Sequence, residues 1–217
     1  MAKTSLKKII LLGPQGSGKS TQDKVIADFL HVPILASGDL LRKAISQKTD
    51  LGNRLANFVN KGELIPDALM IDLFLTQLQQ DQYGGGFILD GFPRNLNQAA
   101  NLDRHYLIDK VFNIEIPDET AIERISGRRI CPNGHVWHIE HKKSLKEELC
   151  DICHQALFYR EDDKPELVKK RLAIYRQETS KLLSYYDQQH KLVVFDGTGS
   201  IPQVSERILA YLKENVG

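Results

Sequence analysis

Gly13-Pro14-Gln15-Gly16-Ser17-Gly18-Lys19-Ser20 follows the apolar run Ile9-Ile10-Leu11-Leu12 and fits the pattern G-x-x-x-x-G-K-[ST] at every fixed position. The pattern belongs to a buried strand that turns through a glycine-rich loop into a helix, so it constrains both fold and ligand. Glycines let backbone N–H groups turn inward around an anion's oxygens, and a helix beginning near Lys19 aims its positive dipole end at the same oxygens. Gly16, Ser17 and Gly18 form the cradle, and Lys19 adds a mobile charge for terminal phosphates. Ser20 offers a hydroxyl toward Mg²⁺ and Thr21 a second one. A nucleoside triphosphate is the first ligand to consider. The bland alternative, a strand-to-helix turn that binds nothing, has the full motif match against it. The loop alone leaves the reaction open.

Composition narrows the class. The 217 residues, 41% of them apolar, suffice for one sizeable core with inserted subdomains. With 29 basic and 28 acidic residues the net charge is +1, so no overall field favours nucleic acid or an anionic membrane. Lys3, Lys7 and Lys8 precede an apolar run far too short for a signal peptide, and a cytoplasmic, monomeric enzyme is expected. Three cysteines, an odd number, argue for reduced thiols or metal ligation over a disulfide framework.

Strand patterns at 9–12, 33–36, 87–90, 111–116 and 192–196 alternate with helical patterns at 19–30, 38–47, 51–61, 67–80, 96–102, 119–126, 165–188 and 203–215. That rhythm predicts a parallel sheet flanked by helices. Pro66 and Pro165 fit first-turn helix positions, where the missing N–H costs nothing. Two stretches break the rhythm. Residues 37–65 hold helical patterns without a strand, and from 127 to 164 Cys, His, Pro, Asn and Gly replace the helical period.

The second stretch carries Cys131-Pro132-Asn133-Gly134-His135 and Cys150-Asp151-Ile152-Cys153, two tight turns with two soft or borderline ligands each. Four such ligands suit tetrahedral zinc, and a module this small needs a staple because it buries too little apolar area. His135 shares a knuckle with Cys131; His138, His141 and His154 compete for the fourth place. Surface cysteines with incidental histidines are the alternative.

Taken in order, Gly13 to Gln22, Ser37-Gly38-Asp39-Leu40-Leu41-Arg42, Asp90-Gly91-Phe92-Pro93-Arg94 with Gln98, Arg124 with Gly127-Arg128-Arg129, Arg160 with Asp162-Asp163, and Arg171 resemble adenylate kinases over nearly the whole chain. The resemblance implies a P-loop nucleoside-monophosphate kinase fold: a five-stranded parallel core over residues 1–35, 66–126 and 165–217, a helical monophosphate-binding subdomain at 36–65, and a zinc-stapled lid at 127–164. It implies Mg²⁺-dependent transfer of the γ-phosphoryl of ATP to AMP, giving two ADP.

In that reading Lys19, Arg124, Arg128, Arg160 and Arg171 converge on the transferring phosphoryl, while Arg42 and Arg94 fork onto the acceptor's phosphate. Asp90 holds Mg²⁺ through water; Asp162 and Asp163 supply negative charge or hinge contacts. Ser37, Arg42, Glu63, Leu64, Ile65, Gly91, Phe92, Pro93, Arg94 and Gln98 frame AMP, joined by Arg160 and Arg171. Val136, Trp137 and the loop Gly197-Thr198-Gly199 flank the ATP base, although Trp137 fits the core of the zinc module equally well.

Ser20 stands where most members have glycine, Ser37 replaces threonine, Gly199 replaces a frequent lysine, and the Cys131 knuckle is one residue short. Another monophosphate kinase, a nucleic-acid-binding switch using its knuckles, and a non-catalytic relative are the competing readings. The mixed charge of the knuckle segment argues against nucleic acid, with Lys142, Lys143 and Lys146 beside Glu140, Glu147 and Glu148.

Overall fold

A computed structural model describes residues 6–61 and 65–216 and, within them, the side chains of all but 59–61 and 162. In chain order the strands are β1 (Lys8–Leu12), β2 (Ile34–Ala36), β3 (Phe87–Asp90), β4 (Lys110–Glu115), β5 (Arg128–Ile130), β6 (Val136–His138) and β7 (Leu192–Asp196). The helices are α1 (Lys19–Leu30), α2 (Ser37–Ser46), α3 (Asp50–Lys61), α4 (Asp67–Leu78), α5 (Leu96–His105), α6 (Asp118–Ser126), α7 (Pro165–Asp187) and α8 (Ile201–Asn215). The expected five strands form one sheet, ordered β2-β3-β1-β4-β7, with every pairing parallel.

The strands read as unbroken apolar runs because both faces are covered. In β1, Ile9 and Leu11 join Ile26, Leu30, Ile208 and Leu212 of α1 and α8, while Ile10 and Leu12 join Leu73, Phe74, Leu102 and Leu182 of α4, α5 and α7. A side-chain period of two thus sends alternate residues of one strand into two separate cores. From β1 the chain crosses to β2 and β3 on one side, and later crossovers reach β4 and β7 on the other. The sheet's C-terminal edge beside β1 is therefore the reversal point where ligands settle in open α/β sheets.

Several boundaries shift. Helix α5 runs to His105, three residues beyond the expected 102. Pro66 is the N-cap of α4 and not a first-turn residue, its ψ of 139° being extended; its carbonyl accepts the N–H groups of Leu69 and Met70. Pro165 does occupy the first turn of α7. Within 127–164, β5 and β6 pair antiparallel, and bridges join Ile130 to Phe158 and Leu149 to Ala156. Among the described residues no helix is long and apolar enough to cross a membrane.

Phe74 of α4 stacks on Phe92, with ring centroids 4.0 Å apart and both side chains out of solvent. That contact anchors the loop after β3 to the core. Replacing Phe74 by alanine is expected to cost about 3–5 kcal/mol through lost burial and an unfilled cavity. A urea titration checks this: the midpoint should fall at constant slope.

Candidate functional site

The loop between β1 and α1 is held open by backbone geometry. Gly16 and Gly18 have φ of 80° and 91°, a left-handed region that a β carbon resists, and a side chain on Gly16 would press on Ala121. Gly18 is the N-cap of α1, which has no side-chain cap and no acidic residue in its first turn, leaving N–H groups directed at the loop. Lys19 Nζ donates to the carbonyls of Gly13 and Pro14 at 2.6 and 2.8 Å, so the ammonium spans the loop. The buried Ser17 hydroxyl makes no hydrogen bond among the described residues.

Asp90 ends β3 beneath this loop and is 9% exposed. Ser20 Oγ donates to its Oδ2 at 3.3 Å. Burial pushes the Asp90 carboxyl above its ordinary range, opposed by Lys19, the Ser20 hydrogen bond and Arg94. The same burial pushes Lys19 down, with Asp90 opposing it. One turn along α1, Asp23 is 4% exposed; burial, then Asp90, raise its carboxyl to about 6. Thr21, the second expected hydroxyl, is exposed.

On the other side of Asp90 lies a second polar wall. Gly91 has φ of 78°, and a β carbon there would strike the Ser37 hydroxyl. Arg94 Nε donates to the Gly91 carbonyl at 2.9 Å and its NH2 to Ser37 Oγ at 3.2 Å. Gln98 accepts from the Arg94 backbone N–H at 2.8 Å and donates to Asp67 Oδ1 at 2.6 Å. Phe92 belongs to the core through Phe74, and Pro93 follows it into the turn. Arg42 pairs with Asp39 on the surface. Ile65 packs against the core, whereas Glu63 and Leu64 lie outside the described residues.

The remaining expected cations have different partners. Arg124 donates to the carbonyls of Gly16, Gly197 and Gly199 at 3.1–3.3 Å and so ties the glycine-rich loop to the loop after β7. Arg128 grips Asp163 with two bonds of 2.9 and 2.6 Å, and Arg171 approaches the same carboxylate at 3.7 Å. Asp163 is fully buried. Arg160 precedes the short turn Glu161–Asp163, and the Asp162 side chain lies outside the described residues.

In the 127–164 segment, ligand atoms of Cys131, His135, Cys150 and Cys153 all lie within 4.8 Å of one another. His135 Nδ1 is 3.3 Å from Cys131 Sγ and 3.4 Å from Cys150 Sγ. Burial pushes the Cys150 thiol up, but backbone N–H groups of Cys153 and Ile152 and the Trp137 indole outweigh it and hold it at about 6. His138 instead stacks on His141, its Nδ1 accepting from Glu140 and His141 backbone N–H groups. His141 pairs with Glu123, and His154 is exposed. Of the two places open to Trp137, the structure shows the module core: its ring is buried with Cys131 and Cys150, and Nε1 lies 3.3 Å from Cys150 Sγ. A flat indole shields sulfurs from water as smaller side chains cannot. Val136 is exposed.

Two acidic residues of this region were absent from the sequence reading. Asp23 was visible only as a charge on an otherwise inward-facing position of α1. Asp67 read as a first-turn helix charge, yet it collects the side-chain amides of Asn95, Asn97 and Gln98.

A family model described as adenylate kinase matches residues 11–191. An adenylate kinase of Streptomyces coelicolor is 39% identical over 215 residues, covering 96% of this chain and 99% of its own. One from Methanosarcina barkeri is 43% identical over 211 residues, covering 95% and 98%. One from Caldicellulosiruptor bescii is 41% identical over 211 residues, covering 94% and 98%.

Asp23 yields a test of the site's electrostatics. Its carboxyl lies near 3.8 when unfolded and about 6 when folded, so the folded chain binds the extra proton and stability falls as pH rises through that window. Asp23→Asn should therefore stabilise the protein at pH above about 7, by about 1–2 kcal/mol after allowance for solvent screening, and give no gain below about pH 4. Melting curves at the two pH values decide it.

Proposed function

The chain belongs to the adenylate kinase family, whose reaction moves the γ-phosphoryl of ATP to AMP, and we propose that the two polar walls around Asp90 are its donor and acceptor sites. One observation carries the reading. Lys19 of the glycine-rich loop and Arg94 of the opposite wall both lie in the field of the same buried carboxylate. A phosphoryl group passing between the walls would stay beside both cations throughout.

On the donor side, the N–H groups of Gly16, Ser17, Gly18 and Lys19 would cradle ATP phosphates, and Lys19 Nζ would exchange two neutral carbonyls for phosphate oxygens. The loop Gly197-Thr198-Gly199 and Val136 would border the base. The oxygen donors Ser20 and Asp90, already within hydrogen-bond distance, suit a hard divalent cation, as Mg²⁺ is with ATP in this family. When bound, the ion neutralises charge on the β- and γ-oxygens.

On the acceptor side, Arg94 and Arg42 would grip the AMP phosphate, and Ser37, Gly91 and Gln98 would line the nucleoside. Arg128, Arg160 and Arg171 would complete the positive field as residues 127–164 close. In this reading residues 1–35, 66–126 and 165–217 are the core, 36–65 the monophosphate-binding subdomain and 127–164 the lid. Closure matters because water would otherwise compete with AMP for the phosphoryl group. Cys131, His135, Cys150 and Cys153 would hold zinc; the donor set fits a closed tetrahedral site, which leaves no position for a reactive water, so the metal's role is structural. The free thiols support a reducing, cytoplasmic setting.

An ADP-forming assay with a panel of monophosphates tests the activity; AMP should lead. In the same assay Lys19→Met should lower turnover about 10²- to 10³-fold, the usual loss when one transition-state donor is removed. Arg94→Ala should also raise the KM for AMP, because its fork holds a phosphate that stays in place. Equal, small effects of both would contradict the roles.

Metal analysis should find one zinc per chain. Cys150→Ser should lose it and lower the melting temperature while activity at low temperature largely persists. Unchanged stability in chelator, with three freely titrating thiols, would refute the site.

A further inference from the structure

We infer that Asp67 is a positioning residue that fixes the polarity of the Gln98 amide and thereby makes the acceptor site read adenine in preference to hypoxanthine. The inference rests on the assignment of Gln98 to the AMP pocket. Gln98 is 5% exposed, and two neighbours decide which end of its amide is which. The Arg94 backbone N–H can only donate, so it takes Oε1 at 2.8 Å. The Asp67 carboxylate can only accept, so it takes Nε2 at 2.6 Å.

Each contact uses half of an end's capacity. One N–H of Nε2 and one lone pair of Oε1 remain for a base. That donor–acceptor pair complements adenine, whose N1 accepts and whose 6-amino group donates. Hypoxanthine has the reverse pattern, N1–H donating and O6 accepting, and is matched only by an amide turned through 180°. An unrestrained glutamine reads either base, since the turn exchanges its two ends. Here the turn would set a carbonyl against a carboxylate and an amino group against an N–H, inside a buried site where mismatched polar groups are costly.

Asp67 is built to remain an acceptor. It receives the amide of Asn95 at 2.9 and 3.0 Å and that of Asn97 at 3.1 Å, besides Gln98. Burial pushes its carboxyl up, but the three amides outweigh it and hold the group below the usual carboxylate range. Asn95 is itself oriented in the same way: its Oδ1 caps α5 by accepting from the Gln98 backbone N–H at 3.0 Å, which turns its Nδ2 to Asp67.

The test compares AMP with inosine monophosphate as acceptors for the native enzyme and variants, with folding followed by circular dichroism. Asp67→Asn can donate as well as accept, so one of the two locks on Gln98 is lifted. The ratio of kcat/KM for AMP over inosine monophosphate should fall about tenfold, as expected for relief of one buried mismatch, with kcat for AMP within a few fold of native. Asp67→Ser, whose hydroxyl also plays both roles, gives the same reading should the asparagine variant fold poorly. Asn95→Ala removes the α5 cap and one partner of Asp67 without touching the Gln98 locks; it should lower stability and keep the ratio. A native ratio in both Asp67 variants, or an equal fall in Asn95→Ala, overturns the inference. Gln98→Ala separates this failure from that of the acceptor-site assignment: if it leaves kcat/KM for AMP at the native level, the assignment fails and the inference with it. If it weakens AMP while the Asp67 variants keep the ratio, only the inference fails.

Discussion

A carboxylate buried at the end of a doubly covered strand is costly, and the site is built around offsetting that cost at Asp90. Because β3 is packed on both faces, its last residue cannot turn to solvent. Stabilisation comes from three groups: the ammonium of Lys19 and the hydroxyl of Ser20, both at the start of α1, and the guanidinium of Arg94 in the loop after β3. Lys19 and Ser20 open α1 and Arg94 follows β3, so the arrangement exists only when β1, which leads into α1, is paired with β3. The site is thus a consequence of the topology and not of any single loop.

The same arrangement explains how cations are kept without collapsing onto carboxylates. Lys19 and Arg124 are bound chiefly to neutral carbonyls of the loops they serve. Such bonds orient the side chains, yet each is weaker than a charge-assisted bond to a phosphate oxygen. Under the proposed assignment, a phosphate would displace them at little cost. Arg128 differs, since its partner is a buried carboxylate in a two-bond grip, and leaving Asp163 alone would strand a charge in the interior.

Much of this was legible in the sequence because the signals were local. The phosphate loop is a contiguous backbone motif, α1 starts and stops at the residues expected, and the C-x-x-C and Cys-to-His spacings mark turns whose sulfurs must converge if the segment is to have a core at all. Features set by distant contacts were not legible. The strut from Arg124 spans 108 positions to Gly16, and no local pattern announces it. Asp67 resembled any helix-initiating acid, since its amide partners lie about thirty residues away, across the turn that joins β3 to α5. The final turn of α5 escaped for a related reason: Asp103 is polar, but it is held by Tyr185 of α7 at 3.0 Å, so tertiary contact extends the helix past its apolar pattern.

Residues 127–164 have a small interior of their own and several contacts with the helices on either side. Inside, Trp137 and three cysteines form a core of their own, separate from the two large cores on the sheet. At one end, Gly127 follows α6 so closely beneath the His138 ring that a β carbon there would collide with it. At the other, Asp163 precedes α7 and binds Arg128 from the segment's first strand and Arg171 from α7. This unit with its own core is further joined to α6 by the pair His141–Glu123 and by Arg129, which donates to the Ser126 carbonyl. Under the proposed lid assignment, Asp163 would couple the segment to the core, because any change in the Arg128 grip alters the partnership of a buried charge that Arg171 of α7 also faces.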